Sequence, residues 1–138
     1  MSLNPDLVGA RCAEIADSIQ RLERFHTVPK DQFLADRDML DLACYRLLVA
    51  IESSLALCYH VSARRLQKVP EEYAACFRQL SDAGIIPSDL SERLQKMARF
   101  RNLLVHGYWK IDYEKVFELI QNHLSDLRDF SSAITSLL

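Results

Sequence analysis

The sequence predicts an all-α protein, an antiparallel up-and-down bundle of four to five helices forming a single domain over residues 1–138. Apolar residues recur at three-to-four spacing through most of the chain, and the links between periodic runs are short. Gly and Pro number only 3 and 4 in 138 residues, too few for the turns of an all-β fold.

The first helix is expected from about Pro5 to Phe25, where Leu7, Val8, Cys12, Ile15, Ile19 and Leu22 lay down one apolar stripe. His26 to Lys30 contains Pro29 and breaks it. A second, longer helix follows from near Asp31 to near Val61, with a stripe through Leu40, Cys44, Leu47, Leu48, Ile51, Leu55 and Cys58. Pro70 suits the first turn of a third helix, with Glu71 and Glu72 at its positive dipole end and Gly84 as its left-handed cap. Ser88 is the expected N-cap of a fourth helix, which runs through Leu90, Leu94, Met97, Arg101 and Val105 and stops at Gly107. Asp112 caps the last, whose stripe passes through Val116, Leu119, Ile120, His123, Leu124, Leu127, Phe130 and Ile134.

No run approaches the roughly 18 uninterrupted apolar residues of a membrane span, and the N-terminus carries charges where a signal peptide needs an apolar core, so a cytoplasmic location without membrane contact is expected. Cys12, Cys44, Cys58 and Cys76 are scattered, with no C-x-x-C pair. They read as small buried hydrophobes rather than as a disulfide framework or a metal site, and no cofactor is expected. The net charge of −2 argues against bulk coating of nucleic acid. Local distribution says more: Arg93, Lys96, Arg99, Arg101 and Lys110 fall in a stretch with no Asp or Glu, which makes either a local basic face or an ordinary solvated one.

One residue breaks the pattern. Arg101 falls on the apolar stripe of the fourth helix, between Met97 and Val105, where leucine is the ordinary choice. A cation there needs a partner, or a cleft or interface to reach, because burying an unpaired charge is costly. Asn102 and His106 stand four residues apart on one face beside it, in the last turns before Gly107. A histidine moves protons near neutral pH, and a guanidinium grips phosphate or the charge on a pentacoordinate phosphorus. The pair suits RNA cleavage without a metal: a base takes the ribose 2′-hydroxyl proton, the oxygen attacks the adjacent phosphorus, and the arginine offsets the growing charge. The same residue types also form structural ion pairs and helix-capping cations.

The stretch Arg101-Asn-Leu-Leu-Val-His106-Gly-Tyr108 resembles the R-x4-H-x-Y signature of the HEPN superfamily, in its HepT-like toxin branch. Tyr73–Phe77, Leu80–Pro87 and Leu94–Asn102 are similar to that family's central block in order and spacing, and with Arg46–Glu52 the likeness covers about Asp31 to Asp112. It implies a HEPN-like helical bundle, commonly a homodimer whose motif helices face each other across a composite RNA-cleaving cleft. Arg101, His106 and Asn102 are then the catalytic candidates, with Asn102 orienting His106 or binding phosphate, and Lys96, Arg99 and Lys110 contact the RNA substrate. The resemblance also implies a MntA-type nucleotidyltransferase antitoxin as partner, transferring AMP to Tyr108. A non-catalytic HEPN module serving such a transferase is the other expectation. Glu52 matches an acidic position of the family and equally suits a surface or ion-paired residue; the further acid often found one turn on is replaced here by Ala56 and Leu57.

The other candidates rank lower. His26 and His60 lie near helix ends and are expected to be exposed, and His123 is expected to be a hydrogen-bonded core or interface histidine. Tyr113 and Phe117 should pack in the bundle, while Trp109 is either a lid on the core or a platform for stacking a base.

Overall fold

The computed structural model describes residues 2–138, and every regular element among them is helical. α1 (Pro5–Glu23) starts where the Asn4 carboxamide accepts the Asp6 and Leu7 amides, with Pro5 at the first position. A single 3-10 turn, Arg24–Thr27, buries Phe25 and leads past Pro29 into α2 (Lys30–Ala35). The expected long second helix is therefore two. Asp36 leaves the helical region (φ −104°, ψ 102°) because its carboxylate caps α3 (Arg37–Arg65) at the Met39 amide, 3.0 Å away.

At 29 residues, α3 is the longest helix, with α1, α4, α5 and α7 packed around it. Its length and mean hydropathy would let it cross a membrane although charged residues interrupt its apolar run, but half of its most apolar stretch is buried against the other helices, as in the central helix of a bundle. The pairs Asn4–His60, Glu14–Ser53 and Asp17–Arg46 run in opposite senses along the two chains, so α1 and α3 are antiparallel.

The third helix starts later than expected. Pro70 is buried in the connection rather than serving as a first helical residue, and α4 (Tyr73–Asp82) begins after an extended Glu72. It closes at Gly84 (φ +76°), where the Ile85 amide reaches back to the Leu80 carbonyl at 2.9 Å. α5 (Ser88–His106) places Ser88 inside its first turn, with Pro87 at the cap position and no side-chain capping bond. Asp112 caps α6 (Tyr113–Asn122) through the Glu114 and Lys115 amides. The expected single last helix breaks at His123 (φ −127°), whose imidazole turns to Asp126, and α7 (Leu124–Thr135) follows. Seven α-helices thus stand, among the described residues, where four or five were predicted; the bundle architecture is as expected.

The core joins buried side chains from every one of these helices. Phe25, Phe33 and Phe117 stack under one end, with ring centroids 5.8 and 5.2 Å apart, and Phe77 meets Phe130 edge-on at 5.3 Å in the middle. The cysteine reading needs correction. Cys58 and Cys76, both fully buried, are joined as a disulfide that ties α3 to α4, with Cα atoms 6.1 Å apart; spacing in sequence does not show which residues of two packed helices face each other. Cys12 and Cys44 are free and half-buried, and burial, then Asp41, pushes the Cys44 thiol up to about 11, which leaves it a poor nucleophile at neutral pH.

His60 is half-buried rather than exposed, and its Nε2 accepts the Asn4 amide at 2.9 Å, which requires that nitrogen to be unprotonated. Burial, then Arg64, holds its pKa below the usual 6.5. The unfolded chain therefore binds this proton more readily than the folded one. The contribution of His60 is complete above the unfolded value and is lost as pH falls from there through the lower folded value. Thermal melts between pH 7.5 and 5 should show a steeper loss of melting temperature for the wild type than for His60→Gln; parallel curves would remove His60 from the pH response.

Candidate functional site

α5 distributes its residues by helical geometry. Leu90, Leu94, Met97 and Ala98 are buried, and Arg101 projects on that same side, while Lys96, Arg99, Asn102 and His106 are exposed on the other. Five residues at about 100° each place Arg101 and His106 about 140° apart around the axis.

The Arg101 side chain is only 12% exposed, and its Nε donates to Glu52 Oε1 on α3. A terminal nitrogen donates to Asn102 Oδ1 at 3.2 Å, and the guanidinium carbon lies 4.6 Å from the centre of the Tyr73 ring. Tyr73 is itself held edge-on by Tyr59 at 5.9 Å. A carboxylate, an amide oxygen and an aromatic face therefore answer the demand for a partner, and the charge that interrupts the stripe is compensated at its buried end. Of the two readings of Glu52, the ion pair is the one observed. Asn102 lies against Arg101, not against His106.

His106 stands exposed in the last turn of α5, just before the Gly107 amide closes on the Leu103 carbonyl at 3.0 Å. The other three histidines are engaged: His26 with the Ile120 carbonyl at 2.7 Å, His60 with Asn4, and His123 with Asp126 at 3.3 Å. His106 makes no side-chain hydrogen bond among the described residues, which leaves both ring nitrogens open to a ligand. His26 is exposed as expected, and Tyr113 and Phe117 are half-buried in the bundle.

Past the helix, Tyr108–Lys110 form a short 3-10 turn. Tyr108 and Trp109 are 67% and 69% exposed, their rings edge-on at 5.2 Å. Trp109 is therefore no lid on the core: Gly107 and the turn carry it outward, past the last buried position of α5. Lys110 is exposed beside it, and Arg99 and Lys96, exposed about two and three turns before His106 on α5, continue a strip of cations back along the helix. Arg93 is not part of that strip, being bound to Asp126 at 3.0 Å and Asp89 at 3.5 Å.

Several large apolar side chains are exposed on α3, on α5 and on the turn that follows it. Leu42 and Tyr45 of α3, Leu103 and Val105 of α5, and Tyr108 and Trp109 are all exposed, and a cleft lined by Tyr45, Leu104, Tyr108 and Tyr113 runs between the two helices. The residue that sequence reasoning missed is Tyr73, the aromatic shelf under Arg101. It lies 28 positions upstream on another helix, and no local pattern marks it.

The family model described as ribonuclease HepT-like matches residues 15–134. The mRNA nuclease HepT of Shewanella oneidensis is 26% identical over 129 residues, 94% of this chain and 96% of that protein. A putative RNase of Archaeoglobus fulgidus is 30% identical over 94 residues, 68% of this chain and 70% of that one. Among solved structures, the tri-AMPylated Shewanella oneidensis HEPN toxin in complex with its MNT antitoxin superposes with a TM-score of 0.88 at 25% identity, covering 96% of this chain and 99% of that one.

The geometry makes Glu52 the anchor of Arg101. Glu52→Ala should lower stability by about 1 kcal/mol, the modest value reflecting a carboxylate that is 45% exposed, and the melting temperature by about 3–5 °C. Glu52→Gln, which can still accept from Nε, should lose less. A Glu52→Ala protein melting with the wild type would show that Arg101 is held without this pair.

Proposed function

The chain belongs to the ribonuclease HepT-like family, and on that premise we propose that it is the endoribonuclease toxin of a toxin–antitoxin pair, cleaving RNA without a metal at a site built from Arg101 and His106. The observation that carries the reading is the contrast between a fixed guanidinium and an unengaged imidazole on one helix. His106 takes the proton of a ribose 2′-hydroxyl, and the oxygen attacks the adjacent phosphorus. The bond to the 5′-oxygen breaks and that oxygen receives a proton, leaving a 2′,3′-cyclic phosphate and a 5′-hydroxyl end. Arg101 offsets the charge on the phosphorane oxygens, with Glu52 and Tyr73 fixing its direction beforehand. Asn102 positions the guanidinium, and Lys96, Arg99 and Lys110 bind flanking phosphates.

About 140° of separation on one helix is poorly suited to a shared phosphate within one chain, so the reading includes a homodimer. Tyr45 and Tyr108, both more than half exposed and lining one cleft just past the motif helix, support it, since exposed apolar surface of this kind suits a protein interface. A second copy would set its His106 toward the first copy's Arg101. The partner is a MntA-type nucleotidyltransferase in the cytoplasm, and Tyr108 is the acceptor of AMP. Its exposure two residues from His106, and the AMPylated state of the Shewanella toxin, support that assignment. The engagement of Arg101 by Glu52 favours a second reading, a non-catalytic HEPN module that presents this face to the transferase.

Purified protein should cut single-stranded RNA in EDTA, and Arg101→Ala or His106→Ala should lower the rate at least about a hundredfold with helix content unchanged. Full activity in both variants would remove these residues from the mechanism. No cleavage by the wild type, with transferase binding lost in Arg101→Ala, would establish the non-catalytic reading, and a monomer in sedimentation at micromolar concentration would exclude the composite site. With the transferase and ATP, Tyr108→Phe should keep its nuclease activity and gain no adenylate by mass spectrometry; an adenylated Tyr108→Phe protein would place the acceptor elsewhere.

A further inference from the structure

A second cleft, of about 310 Å³, opens on the flank of α5 away from Arg101, between that helix and the α6–α7 corner. Its floor is apolar: Met97, Phe100 and Leu119 line it, each less than a tenth exposed. Two ammonium groups stand on its facing walls, Lys96 from α5 and Lys115 from α6. Its back is a fixed chain of polar groups. Buried Asp126 accepts from Arg93 Nε at 3.0 Å and meets His123 Nδ1 at 3.3 Å, and His123 Nε2 faces Glu118 at 3.6 Å.

The sign of this cleft follows from a census of its charges. Arg93, Lys96 and Lys115 stand against Glu118 and Asp126, an excess of one positive charge with His123 neutral. Asp126 is already matched by Arg93, and Glu118 by Lys115 at 3.2 Å, so Lys96 is the cation left over. One anionic group is therefore accommodated and a second is not. The floor sets the other half of the ligand: Met97, Phe100 and Leu119 show only their edges to the cleft, and a flat ring would cover those edges where an anion alone would not. The volume lies at the small end of ligand sites, enough for one ring with its sugar and phosphate and too little for a folded partner segment.

We propose that this cleft binds one nucleoside monophosphate unit, base on the Met97–Phe100–Leu119 floor and phosphate on Lys96 beside the Lys115–Glu118 pair, either as a free mononucleotide or as one residue of an RNA strand. The RNA source rests on the ribonuclease reading above. Lys96 lies ten positions from His106 on α5, about 15 Å along the axis, and the Met97 floor is on the far side of the helix from His106, so a strand with one linkage at His106 reaches this cleft only by passing round α5, several nucleotides away. The cleft would then grip substrate outside the bond that is cut, and prefer strands whose bases are unpaired and free to turn out.

Methyl resonances of Met97 and Leu119 in the intact protein report the floor directly. AMP, and a 2′-O-methyl single-stranded oligonucleotide that cannot be cleaved, should each shift them, while inorganic phosphate at the same concentration should not. Shifts with AMP alone would assign the cleft to a free mononucleotide; shifts with both extend it to RNA. Lys115→Glu should weaken oligonucleotide binding about tenfold in fluorescence anisotropy with the melting curve kept. Methyls that ignore both nucleotide probes, or that respond equally to phosphate, overturn the proposal. RNA cleavage by the same preparation separates the two readings: cutting with silent methyls removes the cleft and leaves the nuclease, and shifted methyls without cutting do the reverse.

Discussion

The arrangement of this molecule turns on how one positive charge is kept inside a helix-packing surface. Arg101 occupies a position where leucine would have buried without cost, and the chain supplies three separate groups to keep it there. Glu52 comes from α3, Tyr73 from α4 and Asn102 from the next residue of α5. Each meets a different need. The carboxylate offsets the charge, the aromatic ring covers a guanidinium face that water would otherwise need to solvate, and the amide fixes a terminal nitrogen. The consequence is a guanidinium with a set direction before any ligand arrives, which is the condition under which a fixed dipole or charge acts on a transition state without reorganising.

That requirement explains features farther away. Tyr73 can lie under Arg101 only if the first turn of α4 is held against α3, and the buried Cys58–Cys76 pair and the Tyr59–Tyr73 contact both fasten that junction. The late start of α4 belongs to the same arrangement. Pro70 fills a buried place in the connection, so the helix begins at Tyr73 itself, which sets the ring at the end of the helix nearest the site.

Much of the fold was legible because it depends on local rules. Asp112 caps its helix as a short polar side chain does, and Gly84 and Gly107 end theirs. Two of the misreadings share one cause. At Asp36 and His123 the apolar period continues unbroken through the residue, so periodicity joins two helices into one; the break comes from a side chain finding a better partner, a free amide for Asp36 and Asp126 for His123. Arg101 was legible as a candidate because a charge on a stripe contradicts the pattern around it. Its partners were not. Glu52 lies 49 positions away, and neither that pairing nor the Tyr73 shelf nor the disulfide leaves any mark in the spacing of a single chain.

The exposed end of α5 has the opposite economy. Tyr108 and Trp109 gain nothing from the core, and an isolated chain with two aromatic rings in water beside exposed leucine and valine is less soluble than it need be. Such a surface makes physical sense if it is seldom left bare, and the proposed dimer seam would cover part of it. The same place is where a single modification would act most strongly. An adenylyl group on the Tyr108 hydroxyl adds a phosphodiester, hence one negative charge, two residues from His106 and two from Lys110, one of the cations that would otherwise attract an RNA phosphate. It would bind that cation itself and fill the approach to His106 with a nucleotide. Inhibition in this reading needs no change in the bundle, because the modification imitates the charge and bulk of the ligand that it excludes.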